Sequence, residues 1–159
     1  MKDKICLITG TASGMGRIAA KSLAEKGATL ILVDFDTENG LAARDEIIEA
    51  TGNNSIEYID CDVSSFSQLH RLSHHMHEHY SRLDVLINNA GITESMRREN
   101  EDGFEMTLAT NFLGPFLLTH LLLDLMQAAA PSRIINISSD AHRMVKEFDF
   151  DDINNRKRW

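Results

Sequence analysis

The feature that most constrains this chain is the run Thr9-Gly10-Thr11-Ala12-Ser13-Gly14-Met15-Gly16, set between the apolar tetrapeptide Ile5-Cys6-Leu7-Ile8 and an amphipathic segment from about Gly16 to Lys26. A short apolar run of this kind suits a strand covered on both faces. Glycines let the chain turn with positive φ and let other backbone or a ligand come close. Strand, glycine-rich turn and helix in that order define a βα unit, and the rest of the chain repeats the alternation. Ala28–Val33 is a second strand, introduced by Gly27, which suits the end of the preceding helix. A helix-to-strand unit follows from Glu38 to Ile59, interrupted by the turn signature Thr51-Gly52-Asn53-Asn54. Ser64 or Ser65 is placed to cap a helix carrying Phe66, Leu69, Leu72, Met76 and Tyr80 on one face. Val85-Leu86-Ile87 reads as the fourth strand, Glu101 to Met126 as one long helix, and Arg133–Ile137 as the fifth strand.

Strands without a polar face, alternating with helices, predict an α/β fold: a doubly wound parallel sheet with helices on both sides. The 159 residues suffice for one such domain, spanning 1–159. A formal net charge of −8 argues against a nucleic-acid backbone or an anionic membrane surface as partner. The longest apolar stretches fall well short of the ~20 residues of a membrane span. Met1-Lys2-Asp3-Lys4 leads directly into the first strand without a signal region, so the expectation is a cytoplasmic protein. Cys6 and Cys61 lie far apart and form no CxxC pair, as expected of buried free thiols in a reducing compartment.

A helix that opens directly from a glycine turn presents free N–H groups and a partial positive charge, a ready site for phosphate. Gly10, Ser13, Gly14, Met15 and Gly16 are therefore expected to line a dinucleotide site. The second strand ends at Asp34, 18 residues beyond Gly16 and near the spacing of an acid that accepts from the adenosine ribose. A carboxylate there repels a 2′-phosphate, and neither Ser13 nor Phe35 supplies a compensating cation. NAD is thus expected over NADP. The alternative makes Asp34 a solvated loop residue. Asp62-Val63, after the third strand, either lines the adenine pocket or serves as a turn or cap residue.

Four motifs in order resemble the short-chain dehydrogenase/reductase family. Thr9-Gly10-xxx-Gly14-x-Gly16 is similar to its cofactor turn, and Asn88-Asn89-Ala90-Gly91 after the fourth strand is similar to its NNAG motif. Asn111 matches its helix-borne catalytic Asn, and Ser139, in Asn136-Ile-Ser138-Ser139, matches its catalytic Ser. The resemblance covers essentially the whole chain and implies strand order 3-2-1-4-5. It implies hydride transfer between nicotinamide and an alcohol or carbonyl substrate, with Asn88, Asn89, Ala90 and Gly91 beside the cofactor. The segment from Arg133 to His142, with Asp149-Phe-Asp-Asp-Ile beyond it, resembles the retinol-dehydrogenase-like branch, which points to a lipophilic substrate. Many enzymes of that branch prefer NADP, against which Asp34 argues. A homo-oligomeric full-length parent is also implied.

The chain departs from the family in one respect. Its only tyrosines, Tyr58 and Tyr80, are followed four residues later by Asp62 and Asp84, so no YxxxK is present, and both precede Ser139. In relatives that Tyr acts as general acid or base, the Lys lowers its pKa, and the Ser steadies the substrate oxygen. The expectation is an amino-terminal part of an oxidoreductase, incomplete after the fifth strand and inactive by itself, with that strand left as an apolar edge. The rivals are a catalytically inactive nucleotide-binding or interaction module and a methyltransferase-like nucleotide fold. Two further features carry open readings. Pro115 cannot bond the carbonyl of Asn111, which frees that carbonyl for a relay water or simply marks a helix break. His70, His74, His75, His77 and His79 share one helix, where i, i+4 pairs could ligate a metal, but no third donor is evident and no metal site is assigned. The acidic run Glu147–Asp152 and the triplet Arg156-Lys157-Arg158 read as solvated loop, and Phe116–Leu123 as core or a subunit contact.

Overall fold

The computed structural model describes residues 1–144 and 149–157. Its elements are β1 (Ile5–Thr9), α1 (Gly14–Ala24), β2 (Thr29–Asp34), α2 (Thr37–Thr51), β3 (Ile56–Asp60), α3 (Phe66–His79), β4 (Val85–Asn88), α4 (Met106–Leu108), a π turn (Ala109–Leu113), α5 (Gly114–Leu121), α6 (Leu123–Ala128) and β5 (Arg133–Asn136). Two 3-10 turns follow, Asp140–Met144 and Phe150–Asp152. The strands form one parallel sheet in the order β3-β2-β1-β4-β5, as the resemblance implied.

Period-two alternation sorts the strand side chains into two cores. Cys6, Ile8, Leu30, Leu32, Val85 and Ile87 face Ala20 and Ala24 of α1 and Ile47 of α2. Leu7, Ile31, Val33 and Leu86 face Leu69, Leu72 and Met76 of α3, Leu118 of α5, Leu125 and Met126 of α6, and Leu122 between those two helices. The α3 stripe is thus buried as its spacing predicts, with Phe66 and Tyr80 packed at its ends. Of the two candidate caps, Ser65 is the one that accepts from Gln68 N–H.

The long helix expected over 101–126 is shorter and broken. Its start moves to Met106 because the buried Glu105 carboxylate accepts from Thr107 and Leu108 N–H, both at 2.7 Å. Pro115, at the start of α5, removes a donor from the ladder. The chain absorbs this by widening to a π turn, closed by Gly114 N–H donating to the Ala109 carbonyl. A second break falls at Leu122. The apolar run there divides: Leu118 and Leu122 are core, while Phe116 and Leu123 are exposed.

β5 pairs with β4 on one side, and its four residues are exposed. Of the segments predicted as solvated loop, Asp149–Asp152, Arg156 and Lys157 are exposed or half-buried, whereas Glu147, Phe148 and Arg158 lie outside the described residues. No helix among the described residues is long and apolar enough to cross a membrane.

Candidate functional site

At the carboxyl edge of the sheet, where β1 and β4 send the chain in opposite directions, lies a cleft of about 780 Å3. Such switch points leave a crevice because successive crossovers diverge to opposite faces. The turns after β1, β2, β3 and β4 all contribute to its walls.

Two of these turns are fastened together. The buried Thr9 hydroxyl oxygen accepts from Asn89 and Ala90 N–H, both at 3.0 Å. Asn89 Nδ2 in turn donates to the carbonyls of Thr9 (2.9 Å) and Gly10 (3.0 Å). Gly10, Ser13, Gly14 and Met15 line the cleft, and Ser13 precedes α1 without a side-chain cap. With no acidic residue in the first turn, the α1 amino end keeps its positive character for an anion. Gly14 has φ +55°, and a Cβ there would meet nothing within 4 Å. Gly16 differs. It does not line the cleft, and a Cβ on it would stand 2.0 Å from the Gly10 carbonyl oxygen and 2.6 Å from Asn89 Nδ2. It lets α1 pack against the turn.

Asp34 stands at the end of β2 on the cleft wall and is no solvated loop residue. Its Oδ2 accepts from Ala12 N–H at 2.8 Å and its Oδ1 from Asp36 N–H at 3.1 Å. A carboxylate offers about four acceptor positions, so each oxygen keeps one for a ligand. Asp36 caps α2, and the hydrogen bonds from Asn39 hold its carboxyl below the usual range. Asp62 has the turn role, its Oδ1 accepting from Ser64 N–H at 2.8 Å, and the residue also lines the cleft beside Val63. The lining also includes Glu94 and two arginines, but Arg17 is paired with Glu46 and Arg98 with Glu94. The end of the cleft around Asp34, Asp36 and Asp62 is thus acidic.

The NNAG segment divides its labour. Asn89, Ala90 and Gly91 line the cleft. Asn88 does not: it is buried, and Nδ2 donates to Asn136 Oδ1 (2.8 Å) and Thr119 Oγ1 (3.2 Å). It ties β4, β5 and α5 together. Asn111, in the π turn, holds the peptide of Ile92 from both sides, accepting from its N–H and donating to its carbonyl, each at 2.8 Å. Its Oδ1 lies 3.5 Å from where a Cβ on Gly91 would be, so the structure brings Asn111 to the NNAG loop. Ser139 is exposed beyond β5, and its hydroxyl oxygen accepts from Ala141 N–H at 3.2 Å. Neither Asn111 nor Ser139 is part of the cleft wall.

Thr9 is the contributor that sequence reasoning passed over, although it opens the motif. Ile92, Met106 and Thr110 were also missed. They carry no pattern of their own and reach the cleft only because Asn111 ties their segments together.

The two tyrosines are occupied elsewhere. Tyr58 O–H donates to the Asp34 carbonyl at 2.8 Å, and burial pushes its pKa up to about 12. Tyr80 O–H donates to Glu57 Oε2 at 2.8 Å, and burial followed by that carboxylate raises its pKa further. Burial likewise pushes the Cys6 and Cys61 thiols up, to about 11 and about 12, so neither is a ready nucleophile. On α3, His74 pairs with Glu78, His75 with Glu57 and His77 Nε2 with Asp124 at 2.9 Å, and His79 Nδ1 bonds the His75 carbonyl. Among the described residues no group of three or more metal-ligating side chains converges.

The short chain dehydrogenase family matches residues 4–148. The chain belongs to that family. Among curated relatives, it is 42% identical to human retinol dehydrogenase 13 over 151 residues, covering 95% of this chain and 45% of the relative. It is 35% identical to human retinol dehydrogenase 12 over 159 residues, covering 100% and 50%. This short chain dehydrogenase sequence thus spans about half the length of the curated relatives it matches. Among solved structures, an uncharacterised Mycobacterium paratuberculosis protein superimposes with a TM-score of 0.82 at 35% identity, over 99% of this chain and 54% of that one. A metagenomic short-chain oxidoreductase in complex with NADP gives 0.76 at 30% identity, over 87% and 63%.

Proposed function

We propose that this chain is the nucleotide-binding part of a nicotinamide-dependent oxidoreductase that moves a hydride between the cofactor and an alcohol or carbonyl substrate. The observation that carries the reading is the cleft itself. It combines an uncapped helix amino end, an open Gly14 and a cleft-lining carboxylate, Asp34, around one volume of about 780 Å3. The residues present fit a dinucleotide. The α1 amino end would hold the pyrophosphate, Asp34 the adenosine ribose, Asp62 and Val63 the adenine, and Asn89, Ala90 and Gly91 the path toward the nicotinamide. When bound, that ring supplies the hydride chemistry.

NAD is the preferred cofactor in this reading. A 2′-phosphate would sit against Asp34, and the arginines of the cleft are already paired. Like charges at about 4 Å cost roughly 1–4 kcal/mol, depending on how much water screens them. The retinol dehydrogenases among the relatives support a lipophilic alcohol or aldehyde as substrate, next to the apolar wall at Ile92 and Met106. Asn111 would act through the Ile92 loop and Ser139 at the substrate oxygen. Because both tyrosines serve as structural donors, this chain alone is expected to bind cofactor without turning over alcohol.

The test is a fluorescence titration with NADH and NADPH on the wild type and Asp34→Ala. NADH is expected to bind at least about tenfold more tightly than NADPH, and Asp34→Ala to narrow that ratio. Absence of binding by either dinucleotide would overturn the reading.

A further inference from the structure

Among the described residues, Tyr58 is the aromatic side chain whose hydroxyl is spent on the strand that carries Asp34. It sits on β3 opposite Leu32 of β2. Its ring extends past the end of β2 and rests on Gly40 in the first turns of α2. A Cβ on Gly40 would stand 2.1 Å from Tyr58 Cε2 and 2.6 Å from Cζ, so this ring position requires glycine there. The phenol donates to the Asp34 carbonyl at 2.8 Å while the ring stays against Gly40. Asp34 ends β2 and Gly40 lies in the first turn of α2, so hydroxyl and ring contact both sides of the turn that joins them. One side chain therefore pins both ends of that turn.

The carboxylate of Asp34 depends on the same turn. One oxygen is aimed by Asp36 N–H, inside the turn, and the other by Ala12 N–H, across the cleft. A small rotation of the 34–36 backbone would realign the two acceptor positions left for ligand. We propose that Tyr58 is a positioning residue for nucleotide recognition: by holding the β2–α2 turn, it sets the direction in which Asp34 presents its carboxylate to a ribose diol. This rests on the dinucleotide reading above. It adds a residue on β3, outside the cleft wall, to the determinants of discrimination between a ribose with a free 2′-hydroxyl and one bearing a 2′-phosphate.

The fold tolerates the test. Cys61 N–H also donates to the Asp34 carbonyl, at 3.0 Å, so Tyr58→Phe leaves that acceptor paired and the ring in place. The experiment measures NADH and NADPH affinities by fluorescence titration for wild type, Tyr58→Phe, Asp34→Ala and the double variant, with thermal melts alongside. Tyr58→Phe is expected to weaken NADH binding about threefold to tenfold, the scale of one hydrogen bond. NADPH binding should change less than about twofold, and Tyr58→Phe should cause no further loss of NADH affinity in the Asp34→Ala background. Equal losses for both cofactors, an equal loss with and without Asp34, or no loss at all would overturn the positioning role while leaving the nucleotide reading intact. Failure of the wild type to bind NADH would overturn both.

Discussion

Gly14 and Gly16 stand two residues apart in one motif, yet the structure assigns them different physical tasks, and alanine at each separates them. At Gly16 the added methyl would lie 2.0 Å from the Gly10 carbonyl oxygen, against ~3.3 Å for even a close carbon–oxygen approach, so α1 must retreat by roughly 1.3 Å. The clash is with backbone, and no rotamer change relieves it. Overpacking ordinarily costs about 1–3 kcal/mol, and this clash belongs at or above the upper end of that range. At Gly14 there is space but φ is +55°, and a left-handed alanine costs roughly 1–2 kcal/mol. For a domain of this size ~1 kcal/mol shifts Tm by about 2–4 °C. Gly16→Ala should therefore melt about 6–12 °C below wild type, and Gly14→Ala about 2–8 °C below. Binding should rank the other way per degree lost, because the Gly14 methyl points into the open cleft where a phosphate would approach. Thermal melts and NADH titrations on both variants check the reasoning. A Gly16→Ala protein that melts no lower than Gly14→Ala would refute it.

Thr9→Val keeps the shape of a buried side chain but leaves Asn89 and Ala90 N–H without their acceptor, at a cost of about 1–3 kcal/mol. Weaker NADH binding should accompany the lower Tm, since both N–H groups belong to the cleft wall. The His77–Asp124 bridge between α3 and α6 predicts a pH effect. Nδ1 lies 2.7 Å from the Ser73 carbonyl and Nε2 2.9 Å from Asp124, two acceptors that favour the protonated ring, so its pKa is raised, first by Ser73 and then by Asp124. Burial pushes the Asp124 carboxyl up, but bonds from His77 and the Leu125 amide outweigh it and the net shift is downward. The stabilisation is thus full below the ordinary histidine pKa of ~6.5 and fades as pH rises through the higher folded value; at the acid end it is lost as Asp124 protonates below ~3.9. Both groups are well exposed, so His77→Gln should remove only about 0.2–1 kcal/mol at pH 6. It should have almost no effect at pH 9, as judged by urea midpoints at the two pH values. Equal midpoint shifts at both would sink the assignment.

The elements themselves were legible in the amino-acid order because local rules govern them. Apolar runs without a polar face marked the strands, a stripe at helical spacing marked α3, and glycines marked the turn between β1 and α1. Asp34 could be placed because a strand end and a fixed separation from the glycine turn are properties of one contiguous βαβ unit. The start of the helix at Met106 was less legible, because the deciding interaction is a buried carboxylate at Glu105 that composition cannot distinguish from a surface charge.

Tertiary structure decided which residue of each motif faces the cleft. Asn88 and Asn89 are adjacent and chemically identical, but alternation along β4 turns one toward Asn136 and Thr119 and leaves the other to bind the β1 turn. Gly16 packs while Gly14 opens, because α1 descends onto Gly10 within half a turn of its start. Asn111 finds Ile92, and Tyr58 finds Asp34 and Gly40, across separations of 18 or more residues. Such pairings depend on strand order and register, which place distant segments at hydrogen-bonding distance. A linear pattern reports what each residue prefers of its own backbone, and only the assembled sheet determines what stands opposite it.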